Sequence, residues 1–97
     1  MILTLHPQAE NDLREAAEFY KQRAGNSFSL AFLEEFEHST NLLLKHPKLG
    51  APWRHNTQKL VLRRFPYSLI YQALDEQLVI VAVAHQSRRP GYWSRWK

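Results

Sequence analysis

Apolar positions first recur in a short run, "MILTL", which reads as a strand, and "HP" at residues 6 and 7 ends it. From Gln8 to Ala24 the apolar residues Ala9, Leu13, Ala16, Ala17, Tyr20 and Ala24 return every three or four positions, while Glu10, Glu15, Glu18 and Lys21 face mostly away. That spacing predicts an amphipathic helix. Pro7 suits its first position, where an N–H would have no partner. Gly25 supplies a left-handed stop, and Asn26 or Ser27 can cap a second helix. In "SFSLAFLEEFEHSTNLLLKH" one stripe carries Phe32, Leu33, Phe36, Thr40, Leu43 and Leu44, and Pro47 with Gly50 closes the segment. A loop of two or three residues makes the two helices an antiparallel hairpin whose aromatic stripe is core.

After Gly50 the period shortens. "KLVLRRF" (59 to 65), "YSLIYQAL" (67 to 74) and "QLVIVAVAH" (77 to 85) are rich in Leu, Val, Ile, Tyr and Phe, and "DE" at 75 and 76 makes a tight turn between the last two. They predict an antiparallel meander, with the almost wholly apolar third run at its centre. The expected architecture is α/β (α+β) in two layers: an N-terminal strand, a helix hairpin, then a mainly antiparallel meander of three or four strands. The hairpin covers one face of the sheet and leaves the other face or the rim for function. Residues 1–97 are expected to form one domain.

Composition narrows the chemistry. The 97 residues include no cysteine, which excludes a disulfide framework, thiolate zinc sites and thiol nucleophiles. No cofactor and no metal are expected. No segment approaches the roughly 20 apolar residues that span a bilayer, so a soluble, cytoplasmic protein without membrane contact is expected. Charge is uneven. Residues 1–49 hold five Lys and Arg against seven acids, a net −2, whereas residues 50–97 hold eight against Asp75 and Glu76, a net +6. The second half is suited to a polyanion or an acidic partner.

Its cations cluster at strand ends: Arg63 and Arg64 before Phe65 and Pro66, Arg88 and Arg89 after His85. An Arg fork fits phosphate, and Tyr67, Tyr71, Tyr92, Trp93 and Trp96 provide faces for stacking on bases, although Tyr71 and Trp93 are read first as core or lid packing and Tyr92 as the most exposed. His85 combines near-neutral chemistry with a strand end beside arginines. Metal-free RNA cleavage needs a base, cations for the phosphate and an acid for the leaving oxygen, roles that His, Arg and Tyr can divide. His6, His38, His46 and His55 are read as structural or surface residues.

The order strand, helix hairpin and meander, with "RRFPYSLIY" and "AHQSRRPGYW", resembles the RelE/ParE superfamily of toxins from bacterial type II toxin-antitoxin modules, in the branch called plasmid stabilisation proteins. Arg64, Phe65, Pro66 and Tyr67 match its Arg-Phe-Pro-Tyr segment. His85, Arg88, Pro90 and Trp93 match its closing His-x-x-Arg-x-Pro-x-x-Trp. "HPQAENDLREAAEFY" and "HPKLGAPWR" are also typical.

The resemblance implies a growth-arresting toxin neutralised by a cognate antitoxin, with the first strand beside the last. It leaves three activities open: ParE-like inhibition of DNA gyrase, taken as the first reading; RelE-like cleavage of messenger RNA on the ribosome by a metal-independent endoribonuclease; or a nontoxic remnant that only binds its antitoxin. His85, Arg88 and Tyr92 are the expected catalytic set, with Lys59, Arg63, Arg64, Tyr67 and Arg89 contacting substrate or partner. Val61 and Ser68 stand where the RelE pattern has cations, which disfavours the nuclease.

Overall fold

A computed structural model describes residues 1–87 and Gly91. The elements run β1 (Ile2–Leu5), α1 (Pro7–Ala24), α2 (Asn26–Lys45), β2 (Ala51–Trp53), a single 3-10 turn (Arg54–Asn56), β3 (Thr57–Val61), β4 (Tyr67–Ala73) and β5 (Gln77–His85). Pro7 opens α1 as its rigid φ allows, and the His6 Nδ1 accepts from the Gln8 N–H at 3.1 Å, satisfying one of the helix's orphan donors. The link between the helices is shorter than the expected loop. Gly25 alone ends α1 and begins α2, at φ 93° and ψ 170°, a region open essentially to glycine, and no side chain caps α2. The Ser29 Oγ then donates to the Ala17 carbonyl at 2.7 Å and ties the two helices together.

Among the described residues the sheet has five strands in the order β1-β5-β4-β3-β2, with β1 parallel to β5 and the remaining pairs antiparallel. The meander therefore has four strands. β2 was not foreseen, because three residues containing a proline carry too little pattern, and as an outer strand it tolerates Pro52. β3 begins earlier and ends earlier than its apolar run: the chain leaves the sheet at Leu62, so that residues 62–66 form a turn.

β4 and β5 are joined by the Asp75-Glu76 turn, across which the Leu74 N–H donates to the Gln77 carbonyl at 2.8 Å. Their ladder is irregular between Ile70 and Tyr71, with Tyr71 opposite Ile80 but Ile70 opposite Ala82, leaving Val81 as an extra residue. β1 accompanies β5 only as far as Ile80. Beyond that point α1 takes over, and the Asp12 Oδ2 accepts from the Val83 N–H at 3.1 Å.

The main core lies between the helices and the sheet, built from Phe32, Leu43, Leu69, Tyr71, Leu78 and Ile80 with their neighbours. The far face departs from expectation. Its centre is not free, since Ile70, Val81, Ala82 and Ala84 are buried there with Trp53 and Val79 against them. Tyr71 is core, as its first reading has it, and not a stacking face: its ring is fully buried, its Oη donates to the Pro47 carbonyl at 2.8 Å and accepts from the Gly50 N–H at 2.9 Å. This pair of bonds fixes the entry into β2. Among the described residues no helix is long and apolar enough to cross a membrane.

Candidate functional site

The turn at residues 62–66 is built from both ends. The Leu62 N–H donates to the Tyr67 carbonyl at 2.9 Å, closing it. Phe65 is buried against the rings of Tyr20, Phe28 and Phe32, at centroid distances of 5.4, 5.4 and 5.2 Å. Anchored by that ring, the turn exposes Arg63 and Arg64. From α2, Glu35 holds them in place: its Oε2 accepts from the N–H groups of Arg63 (2.8 Å) and Arg64 (3.2 Å), and its Oε1 from the Arg64 Nε (2.9 Å).

The Glu35 side chain is 10% exposed and that of Arg64 64%. Burial opposes charge on Glu35, but the Arg64 side-chain bond, the two backbone bonds and the Arg64 charge outweigh it and hold the carboxyl below its usual range. A depressed folded value means a stabilisation that is complete above the ordinary carboxylate range and is lost as pH falls through the folded value. Melting temperatures of the wild type and Glu35→Gln, compared from about pH 7 to about pH 3, should therefore differ by a gap that is constant near neutrality and closes in acid. A gap that widens in acid contradicts the assignment.

Beside this turn a groove of about 640 Å³ runs between α2 and β3, with Glu34, Glu35 and His38 on the helix side, Leu42, Leu60 and Val61 among its apolar groups, and Arg63 and Arg64 at one end. β2 pairs with β3 no further than Lys59, so among the described residues the outer edge of Leu60 and Val61 has no strand beside it, and Val61 is 52% exposed.

His85 lies opposite Tyr67 in the ladder, on the helix side of the sheet, with the rings edge to face at 5.0 Å. It opens on a small cleft of about 160 Å³ shared with Asp12, Glu15 and Phe19. The Ser87 N–H donates to the His85 Nδ1 at 3.0 Å, and the Ser87 Oγ lies 2.7 Å from the same atom. A backbone N–H can only donate, so Nδ1 is an acceptor and the neutral ring carries its proton on Nε2. Burial first, then Tyr20 and Asp12, raise the Tyr67 phenol above its ordinary value, making it a weaker acid than a free tyrosine.

Lys59 is elsewhere. It pairs with Ile70 on the far face, its Nζ 4.1 Å from the centre of the Trp53 ring. Lys59 and His85 thus occupy opposite faces of the sheet. Val61 and Ser68 are directly paired on the Lys59 side, so neither of these two positions brings a charge to that face. Arg88, Arg89 and Tyr92 lie outside the described residues. Arg64 and His85 project from the same end of the sheet, the former drawn to α2 and the latter facing α1.

Sequence reasoning passed over Glu35 and Asp12, although a signal was present. Each sits three residues after a fully buried residue, Phe32 or Ala9, and four before another buried one, Ser39 or Ala16. A carboxylate in the apolar phase of a helix needs a partner.

Residues 3–90 match the family model described as the ParE toxin of type II toxin-antitoxin system, parDE. The chain is 28% identical over 88 residues to Toxin ParE2 of Mycobacterium tuberculosis strain CDC 1551 / Oshkosh and equally to that of strain H37Rv, covering 91% of this chain and 84% of each relative. In fold it is similar to a chain of the chromosomal ParDE TA system from P. aeruginosa, at a TM-score of 0.77 and 19% identity over 88% of this chain and 95% of that one.

Proposed function

Because the chain belongs to the ParE toxin family of type II toxin-antitoxin systems, we propose that it is a growth-arresting toxin that acts by binding DNA gyrase rather than by cutting RNA. The observation that carries this reading is the separation of Lys59 and His85 onto opposite faces of the sheet. A phosphoryl-transfer site must surround one phosphorus with a base, an acid and cations, all within hydrogen-bond reach. Here the Nδ1 lone pair of His85 is engaged by Ser87, carboxylates border its cleft, and the Lys59 face holds Val61 against Ser68. An inhibitor needs no such convergence. It needs a stable, chemically distinctive surface.

Membership implies a cognate antitoxin, and the groove between α2 and β3 suits one. Its apolar floor and the cationic end at Arg63 and Arg64 fit a segment that is apolar and acidic, and the edge of β3 beyond Lys59, unpaired among the described residues, offers main-chain groups to an extended strand.

The test is induced expression with two readouts: supercoiling by purified gyrase in the presence of the toxin, and mapping of messenger RNA ends. Loss of supercoiling, retained in His85→Ala, is expected. Codon-positioned cuts on ribosomes that vanish in His85→Ala, with gyrase fully active, support the endonuclease instead. Growth without arrest at equal expression identifies a remnant.

A further inference from the structure

Between Glu37 and Asp75 the chain carries six Lys and Arg residues and no Asp or Glu. Arg64 is paired with Glu35; among the described residues Lys45, Lys48, Arg54, Lys59 and Arg63 are in no salt bridge. Four of those five gather at one edge of the molecule. β2 is the outer strand of the sheet, Lys45 and Lys48 precede it, Arg54 follows it, and Lys59 stands opposite Ala51 on its neighbour. From Lys48 to Arg54 the chain can reach at most about 20 Å. Cations set along one edge raise the local positive potential, and a polyanion laid along that edge is attracted to it.

We propose that this edge binds the phosphodiester backbone of double-stranded DNA. The cations are presented on rigid backbone. His55 and Asn56 both hold positive φ, 58° and 59°, in a turn tied by the Thr57 Oγ1 to the Arg54 carbonyl (2.6 Å) and by the Gln72 Nε2 to the Asn56 carbonyl (3.1 Å). Among the described residues the edge offers no open stacking platform, which favours duplex over single strands: Trp53 is half-buried, Lys59 stands over its ring and the Arg54 guanidinium lies 5.6 Å from its centre. Backbone contact without base stacking is what a duplex accepts. An acidic protein partner is disfavoured because lysine is depleted in protein interfaces. The inference goes beyond the gyrase reading and is tested without gyrase.

The experiment is fluorescence anisotropy of a labelled duplex of about 20 base pairs with the purified toxin, across about 50 to 200 mM salt. The logarithm of affinity should fall linearly with the logarithm of salt, with a slope of about −3, as expected for three or four phosphate contacts. Lys48→Glu with Arg54→Glu should weaken binding about tenfold or more at the lower salt, with melting unchanged. Lys21→Glu with Arg23→Glu, at the far tip of α1 and of equal net charge, should have much less effect. Equal losses in the two pairs would show diffuse charge and overturn the proposal. So would tighter binding of a single-stranded RNA of the same length, or a wild type silent on DNA whose edge variant loses affinity for the antitoxin.

Discussion

Gly50→Ala is expected to destabilise the domain by about 3 kcal/mol, adding overpacking to the loss of a buried hydrogen bond, and to lower its melting temperature by roughly 15 °C. A Cβ at this position would lie 2.7 Å from the Tyr71 Oη, 2.8 Å from its Cε1 and 2.9 Å from the Lys59 carbonyl oxygen. Neither obstacle can swing away, because Tyr71 is enclosed in the core and the carbonyl belongs to β3. Tyr71→Phe should cost less, about 1 to 2 kcal/mol, since it removes the hydroxyl from Pro47 and Gly50 but leaves the ring in place. The double variant separates hydroxyl from ring. The ring carbon and the carbonyl still clash, so it should be clearly less stable in urea than Tyr71→Phe alone. Equal stability would assign the whole effect to the hydroxyl.

The second large effect is expected at Arg64. Arg64→Glu sets a carboxylate against Glu35, removes the 2.9 Å Nε bond and reverses the charge at one end of the groove. The Arg64 side chain is 64% exposed, so the loss is that of a solvent-screened charge, about 1 kcal/mol or somewhat more, and affinity for the cognate antitoxin should fall about tenfold, chiefly through a slower association that depends on salt. Calorimetry measures this directly.

The exchange Glu35→Arg with Arg64→Glu restores opposite charges without restoring the site. An arginine at position 35 has no acceptor for the N–H groups of residues 63 and 64. Partial recovery is therefore expected. Full recovery would mean that net charge alone governs the contact, and no loss in Arg64→Glu would move the antitoxin elsewhere.

The helices were legible because their apolar residues keep a three-and-four spacing that nothing in the fold overrides. β5 was legible to the residue for a similar reason, being apolar almost throughout and bounded by a turn and a histidine. β2 was not, since its three residues exist as a strand only by pairing with Gln58 and its neighbours and by the Tyr71 bonds, which are tertiary facts. The place of β1 beside β5 came from family resemblance, because no local pattern marks that neighbour, and its parallel direction is known only from the structure.

The site divides in the same way. Arg63, Arg64 and Tyr67 stood out by composition, and their common turn follows from the Phe65-Pro66 break. Which of them meets which helix depended on Glu35 and Asp12, whose partners are 28 and 71 residues away in the chain. The separation of Lys59 from His85 was equally hidden, for it depends on strand register.

That register has one further consequence. Side chains along a strand alternate, so counting by twos from Ile80 would send His85 to the face that carries Lys59; the extra residue at Val81 changes the parity, and His85 arrives beside Tyr67 instead. The bulge thus acts as a one-residue switch between two wirings of the same side chains. In one, a histidine and a lysine share a surface; in the other, they are insulated from each other by the sheet. Asp12, holding the Val83 N–H from α1, secures the second. Within this architecture a chain can gain or lose the meeting of these two groups without substituting either of them, by closing or opening a single irregularity in its last strand.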